Sequence, residues 1–363
     1  MPDSPEGAIA RPKLKDVAAQ AGVSLSTASR ALGSNTAISQ ATRRRVQAAA
    51  TRLDYQPNRM ASALRTRVSP FVGIVVPDIT IPFFGLAVKA AQEVLEHAAY
   101  QAIVMNTDRD VEKERAALRT LVSLHSRGVL LATSGGYESS LQLPVVFFAN
   151  FDPTARAPHV ALSNRDGTRI LAEHLIGHGH RKILYIGGSL LVTSGGERLK
   201  GFEEAMRSAG LEKEMLTWIS DDTWSPASAE RAVMEVWNRP DPPTAILAAA
   251  DMFALGVLKA ARELSLRIPE DIALVTFQDP DRVGGTVNPP LTTLAAHDRE
   301  IGQHAAMLLL HMLDGLYEPT SATEVRLPAT LLVRGSCGCA PAEQGECELP
   351  GETGGRALSQ HRS

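Results

Sequence analysis

The sequence predicts an α/β protein with a small all-α head and a body of two doubly wound parallel sheets. Three observations point there. From residue 71 onward, eight short apolar runs of β type alternate with stretches of helical period, the pattern of parallel sheets covered by helices. Before residue 57 the apolar residues fall only at helical spacing. Charge divides at the same place: residues 1–68 hold eleven Lys or Arg against four Asp or Glu, a net of +7, whereas the remainder holds 26 against 36. A basic head on an acidic body implies a polyanion as partner of the head alone.

A chain of 363 residues that is 44% hydrophobic is long enough for two or three domains with sizeable cores. Its longest apolar runs, such as FVGIVV and VVFFA, fall far short of the ~20 residues needed to cross a bilayer. The opening MPDSPEGAIARPKLKD has no apolar stretch of a secretion signal. A cytoplasmic protein without a membrane partner is expected. The three cysteines, Cys337, Cys339 and Cys347, lie close to the C-terminus, and an odd number suits a reducing compartment. They are read as free thiols in a loose tail, with no metal and no cofactor.

In the head, LKDVAAQAGVS places Leu14, Val17, Ala18 and Ala21 on one helical face, and Gly22 ends the helix. Ser24 caps a second helix, LSTASRAL, with Ala28, Ala31 and Leu32 inward. Ser39 caps a third, in which Val46, Ala49, Ala50 and Leu53 follow the i, i+3, i+4, i+7 rule. Two short helices joined at Ala21-Gly22-Val23-Ser24 form a helix-turn-helix layout, whose second helix docks in the major groove of DNA. The outward face of that helix carries Leu25, Ser26, Ser29 and Arg30, with Thr27 nearby. Arg30 is suited to a bidentate pair with guanine. Ser24, Thr27 and Ser29 are suited to phosphates. The next segment, PNRMASALRTR at 57–67, has the composition of a two-turn helix capped by Asn58, shorter than the ~12–15 residues that a helix needs to stand alone.

The stretch KLKDVAAQAGVSLSTASRAL, with ISQATRRRVQAAATRLDYQPNRMASALRT after it, resembles the DNA-binding head of the LacI/GalR family of bacterial repressors. The likeness runs through DVA-AGVS, T-SR-L, S-TR-RV-AA and L-Y-PN-A-L in order, with Ala28 where the family usually has valine. The resemblance implies that PN-x-x-A-x-x-L is a hinge helix, matched by Asn58, Ala61 and Leu64, which orders on operator DNA beside its dimer mate. Leu64 then acts as an apolar wedge that costs unstacking energy and gains a kinked duplex. Arg59, Arg65 and Arg67 supply positive charge to the groove or its phosphates.

In the body the β-type runs are FVGIVV, QAIVMN, GVLLA, VVFFA, KILYIG, LTWIS, TAILAAA and IALVTF. Between them lie AVKAAQEVLEHA, EKERAALRTLVSL, DGTRILAEHLIGHG, RLKGFEEAMRSAG, AERAVMEVW, MFALGVLKAARELS and EIGQHAAMLLLHML, all of helical period. The organisation expected is a helix-turn-helix domain at 12–57, a hinge and linker at 58–70, and a two-lobed body at 71–338. One lobe spans about 71–163 and 294–319, the other about 164–291 and 324–337. Residues 339–363, rich in Gly, Glu, Ser and Pro without leucine heptads, are expected to be disordered. In open α/β sheets ligands bind beyond the carboxyl ends of strands. Those positions hold residues 78–84, Asp108, Asn150, Arg198, Trp224, Asp251, Gln278 and Asp279.

The body also resembles that family's sensor, a relative of the periplasmic sugar-binding proteins, through PDITIPFF, NTDRDVEKER, AEHLIGHGHRKILYIGG, ERLKGF, PTAILAAADMFALG, IPEDIALVTFQD, PPLTT and LLVRGSCG. With the head, the likeness spans about residues 12–338. It implies a small effector in an inter-lobe cleft that shifts the lobes and the paired hinges. Phe83 and Phe84 would line one wall, Arg198 would clamp ligand oxygens, and Trp224 would stack on a ring face. Asn150, Ala250 and Gln278 fall at hydroxyl-reading positions, and all three depart from the acidic or amide residues that are usual there. Alanine makes no such bond and glutamine is neutral, so the site near Arg198 loses negative charge. An effector with an anionic group is expected. Ile81 and Arg127 are further departures, from asparagine and aspartate respectively.

Rival classes fit less well. GGSLLVTSGG at 187–196 matches neither GxGxxG nor GxxxxGK[ST], and neither HExxH nor GxSxG occurs. His174, His178 and His180 in HLIGHGH sit at a helix end and the turn after it, a run ordinary in this family. A transporter's solute-binding protein would need a secretion signal and would leave the head unexplained. An effector-independent DNA-binding protein is the remaining alternative. The expected function is a sequence-specific transcriptional repressor that reads a pseudo-palindromic operator as a homodimer under control of a small molecule. Candidate dimer surfaces are 83–98, 111–125 and 283–297.

Overall fold

The computed structural model describes residues 12–32, 38–55, 69–220, 224–278, 284–295, 297–316, 323–339 and 345–347. The chain divides into two compact units at Pro70.

In the first unit, helices α1 (Leu14–Gln20), α2 (Leu25–Leu32) and α3 (Gln40–Arg52) enclose a core of Val17, Ala18, Ala21, Ala28, Ala31, Val46, Ala49 and Ala50. The small side chains let three short helices approach closely. Gly22 takes φ +60° just past the end of α1, the left-handed turn that lets α2 leave at a new angle. Ser39 caps α3 by accepting from the Thr42 N–H at 3.3 Å. The hinge positions Asn58, Arg59, Ala61 and Leu64 lie outside the described residues.

The second unit contains two sheets. The first has the order β2 (Gln101–Asn106), β1 (Phe71–Val76), β3 (Val129–Leu131), β4 (Val145–Phe148), β5 (His159–Leu162) and β11 (Glu324–Leu327), all parallel. The second has the order β7 (Met215–Ile219), β6 (Ile183–Gly187), β8 (Ala245–Ala248), β9 (Ala273–Thr276), β10 (Thr292–Leu294), β12 (Leu331–Val333) and β13 (Gly345–Cys347). It is parallel as far as β10, and β12 and β13 are antiparallel. The near-continuous burial of β1, β6 and β8 is what helices on both faces demand. These helices are α4 (Pro82–His97), α5 (Val111–Ser123), α6 (Asn164–Gly177), α7 (Thr193–Ser208), α8 (Pro226–Trp237), α9 (Asp251–Glu263) and α10 (Asp298–Leu313). In both sheets the strand order places β-α-β units either side of the first strand, so each has a switch point where a crevice opens.

Every expected run and helical stretch of the body is present, but the lobe boundaries need correction. Residues 324–327, expected in the second lobe, pair with β5 in the first sheet, from Glu324↔His159 to Leu327↔Leu162. Leu294, expected to begin the return of the chain to the first lobe, ends β10 in the second sheet. The chain therefore passes between sheets after β5, after β10 and after β11. The short segments HVAL, TTL, EVRL and LLV carry too little pattern to disclose their sheet, and pairing alone decides it. The tail also needs correction. Gly345–Cys347 forms an edge strand against β12, and Cys337 and Cys339 are buried. Edge pairing uses backbone groups, so a composition poor in apolar residues does not exclude it.

Candidate functional site

A cavity lies at the carboxyl ends of the strands, walled by both sheets of the body. The first sheet contributes Ile81, Phe83 and Phe84 after β1, Arg109 after β2, and Ala149 and Asn150 after β4. The second contributes Ser194 and Arg198 on α7, Trp224 before α8, Ala250, Asp251 and Met252 at the start of α9, and Gln278 after β9. Leu162 and Asn164 flank the first passage between sheets. All seven effector-site residues expected from sequence (Phe83, Phe84, Asn150, Arg198, Trp224, Ala250 and Gln278) line this one cavity.

Arg198 dominates its electrostatics. The side chain is 5% exposed. Its Nε donates to Asn164 Oδ1 at 2.8 Å, Nη1 to the Ala249 carbonyl, and Nη2 to Gln278 Oε1 at 3.4 Å. The guanidinium lies 3.7 Å from the Phe277 ring centre and 5.6 Å from that of Trp224. These hydrogen-bond partners are neutral, and among the described residues Arg198 makes no ion pair. Burial pushes its pKa down to about 10, against weaker upward pulls from Tyr185, Asp251 and Glu197. Glu197 pairs with Arg326 at 2.8 Å and 3.1 Å and also accepts from Asn164 Nδ2 at 3.2 Å. Gln278 in turn donates from Nε2 to Asp298 Oδ1 at 3.3 Å. A neutral amide thus stands between the buried cation and the nearest buried acid in this chain of contacts.

The helices aim this group. Gly201 of α7 packs so closely on α6 that a Cβ there would sit 2.0 Å from the Arg165 carbonyl oxygen. That contact brings Arg198 on α7 against Asn164, the first residue of α6. The amino end of α7 meets the opposite sheet, where the Ser194 N–H donates to Asn150 Oδ1 at 3.4 Å and the Phe151 N–H to Thr193 Oγ1 at 3.2 Å. A helix amino end beside a buried arginine makes this wall electropositive. Asp251 is the acid among the lining residues, set against Arg109 and Arg198. Arg109 is 3.9 Å from Asp78, and burial lowers its pKa against the upward pull of that carboxylate. Ala149 and Gln278 adopt φ +63° and +67°, left-handed conformations that cost residues with a Cβ and that direct the strand ends into the cavity.

The apolar wall is made of paired rings. Phe83 and Phe84 meet edge to face at 5.0 Å. Trp224 stacks on Phe253 at 5.4 Å and 17°, and it also lies against Gly188, where a Cβ would fall 2.3 Å from the indole. One indole face is therefore already used by the protein.

The sequence reading missed Arg109, Asn164, Ser194, Leu162, Ala149 and Met252. Arg109 follows Asp108, which was singled out, but both take left-handed φ, +61° and +52°, and the turn exchanges their directions. Asp108 instead faces Lys113 and Asn106, and the lysine holds its carboxyl below the usual range. Arg127 does not line the cavity, since its Nη2 reaches the Leu313 carbonyl at 3.5 Å. Asp279 lies outside the described residues.

On the head, Ser24, Leu25, Ser26 and Arg30 are exposed, and Thr27 and Ser29 are half-buried. Leu25 is 54% exposed, a large apolar side chain left in water at the start of α2. Ser24 Oγ accepts from the Thr27 N–H at 3.1 Å and pairs with Thr27 Oγ1 at 2.8 Å, so these hydroxyls also cap α2. Arg30 folds back on Ser26, with Nη2 3.0 Å from its hydroxyl and Nε 3.3 Å from its carbonyl.

A basic helix-turn-helix unit, followed by a two-sheet body that encloses a polar cavity at its strand ends, defines a DNA-binding regulator of ligand-sensing type. Residues 13–58 match the family of bacterial regulatory proteins, lacI family, and residues 172–337 match the periplasmic binding protein-like domain. The chain is 31% identical over 327 residues to the ribose operon repressor of Bacillus subtilis (strain 168), covering 88% of this chain and 97% of that protein. It is 29% identical over 334 residues to the HTH-type transcriptional repressor CytR of Escherichia coli (strain K12), covering 90% and 97%. The lac repressor dimer bound to operator and the anti-inducer ONPF superposes with a TM-score of 0.80 at 27% identity, covering 90% of this chain and 99% of that one. The chain belongs to the lacI family of bacterial regulatory proteins, as a DNA-binding transcriptional repressor with an effector-binding body. These relatives are transcriptional regulators rather than enzymes. Among the described residues no helix is long and apolar enough to cross a membrane.

Proposed function

We propose that this repressor binds a pseudo-palindromic operator as a homodimer in the cytoplasm, and that its effector is a small anionic metabolite such as a sugar acid or sugar phosphate. The observation that carries the second claim is Arg198, a buried cation in the cavity wall whose hydrogen bonds go to neutral groups. Among the described residues no carboxylate pairs directly with it. A buried charge lacking a direct partner is costly, and a ligand anion would relieve that cost. Phe83, Phe84 and the edge of Trp224 offer apolar surface to the ligand's carbon skeleton. Asn150 and Gln278 offer hydrogen bonds to its hydroxyls, and Ala250 leaves room without bonding. On DNA, Arg30 with Leu25 and Ser26 faces base edges, while Ser24, Thr27 and Ser29 hold phosphates. Asn58, Arg59, Ala61 and Leu64 form the minor-groove hinge of residues 58–70. The homodimer draws support from the dimeric lac repressor relative.

Calorimetry with the full-length protein and matched panels of neutral sugars, sugar acids and sugar phosphates tests the effector class. Tight binding of neutral sugars with no binding of the anions would overturn it. For the head, Arg30→Ala is expected to weaken operator binding by about 1–3 kcal/mol while leaving random DNA less affected. Equal losses on both DNAs in a gel-shift titration would contradict a base-reading role.

A further inference from the structure

We propose that His174, His178 and Cys339 form a binding site for a zinc-class divalent cation, distinct from the residues that line the effector cavity and independent of the effector's identity. His174 lies in the last turn of α6 and His178 directly follows the helix, one turn on, which places both imidazoles on one side with ring centres 4.7 Å apart. Cys339, from the segment after β12, brings its Sγ to 3.5 Å from His174 Nε2 and 3.1 Å from His178 Nε2. The three donor atoms all lie within 4.8 Å of one another. With Zn–S near 2.3 Å and Zn–N near 2.0–2.1 Å, tetrahedral ligand atoms stand about 3.3–3.8 Å apart, close to the spacing present. A second sulfur, Cys337 Sγ, is 3.2 Å from Cys339 Sγ.

Cys337 Sγ donates to Cys339 Sγ at 3.2 Å, and both imidazole Nε2 atoms lie within reach of the Cys339 thiol proton. A cation in place of that proton engages both rings and the thiolate together, with the proton released to solvent. Imidazole and thiolate donors select Zn²⁺ or Co²⁺ over Mg²⁺ and Ca²⁺, which prefer oxygen. Burial grades from Cys339, which is buried, through His174 to the exposed His178, so a metal has a path in from solvent. When filled, the site fastens the segment after β12 to the end of α6.

The test is titration of reduced, metal-free full-length protein with Co²⁺. A thiolate-to-cobalt absorption band that saturates at one equivalent per chain and is displaced by Zn²⁺ is expected. Cys339→Ser should abolish the band. His178→Ala, at an exposed position and with folding checked by circular dichroism, should weaken Co²⁺ binding at least tenfold. Absence of the band in the wild-type protein, its persistence in Cys339→Ser, or unchanged affinity in His178→Ala would overturn the proposal.

Discussion

Replacing Gln278 by aspartate isolates the electrostatic logic of the cavity in one substitution. Gln278 Oε1 accepts from Arg198 at 3.4 Å, and its backbone already holds the left-handed φ, which aspartate tolerates better than most residues. Aspartate is one methylene shorter, so its carboxylate would stand about 4.5 Å from the guanidinium and attract it by about 4 kcal/mol at an effective dielectric of ~20. Part of that gain is cancelled, because Asp298 Oδ1 lies 3.3 Å from the present amide nitrogen and would repel the new charge. A net internal pairing of about 2–3 kcal/mol would compete with any ligand anion for Arg198, a loss of roughly 30- to 150-fold in affinity. Calorimetry on Gln278→Asp and wild-type protein, with one anionic ligand and its neutral analogue, measures the difference. The anion should lose affinity in the variant, and the neutral analogue should be unchanged or improved. Equal dissociation constants for the anion in both proteins would refute the assignment of Arg198 as the anion anchor.

Two further substitutions probe the walls of the body. Gly188→Ala should push Trp224 off its seat, because the new Cβ would fall 2.3 Å from the indole and Phe253 blocks retreat. A cost of about 1–3 kcal/mol in stability is expected, with altered tryptophan fluorescence and weaker ligand binding, and an unchanged spectrum would count against it. His159 is stacked on Phe151 at 4.0 Å, and burial lowers its pKa, with Glu324 pulling upward and Arg326 downward. The unfolded chain therefore protonates first as pH falls below 6.5, so stability from the neutral ring is present above that value and is lost as pH falls through the lowered one. Melting temperature measured from pH 7.5 to 5.5 should drop less steeply for His159→Phe, and parallel profiles would exclude this contribution.

The head and the cavity were legible because their signals are local and periodic. Val17, Ala18 and Ala21 repeat at helical spacing around Gly22, and Arg198 and Trp224 follow strand runs long enough to recognise. Contacts between distant segments were not legible. Cys339 meets His178 across 161 residues, and neither neighbourhood announces the other. Likewise Glu324–Leu327 shows no pattern that names β5 as its partner. Ser194 and Asn164 were missed for a different reason: each is a small neutral polar residue at a helix start, which reads as ordinary capping, and nothing local marks it as facing a cavity. Arg109 was hidden by backbone reversal at Asp108, a matter of two dihedral angles that composition does not encode.

The three passages of the chain between the sheets have a mechanical consequence. A body joined at a single point can twist, slide and bend, and a ligand that fills its cleft has no unique effect. Three short joints suppress most of those freedoms and leave one soft bending coordinate. Occupancy then becomes a scalar signal, more closed or less closed, whatever the ligand's chemistry. Recognition and bending are thereby separable: the lining side chains can be exchanged to suit another metabolite while the three joints stay as they are.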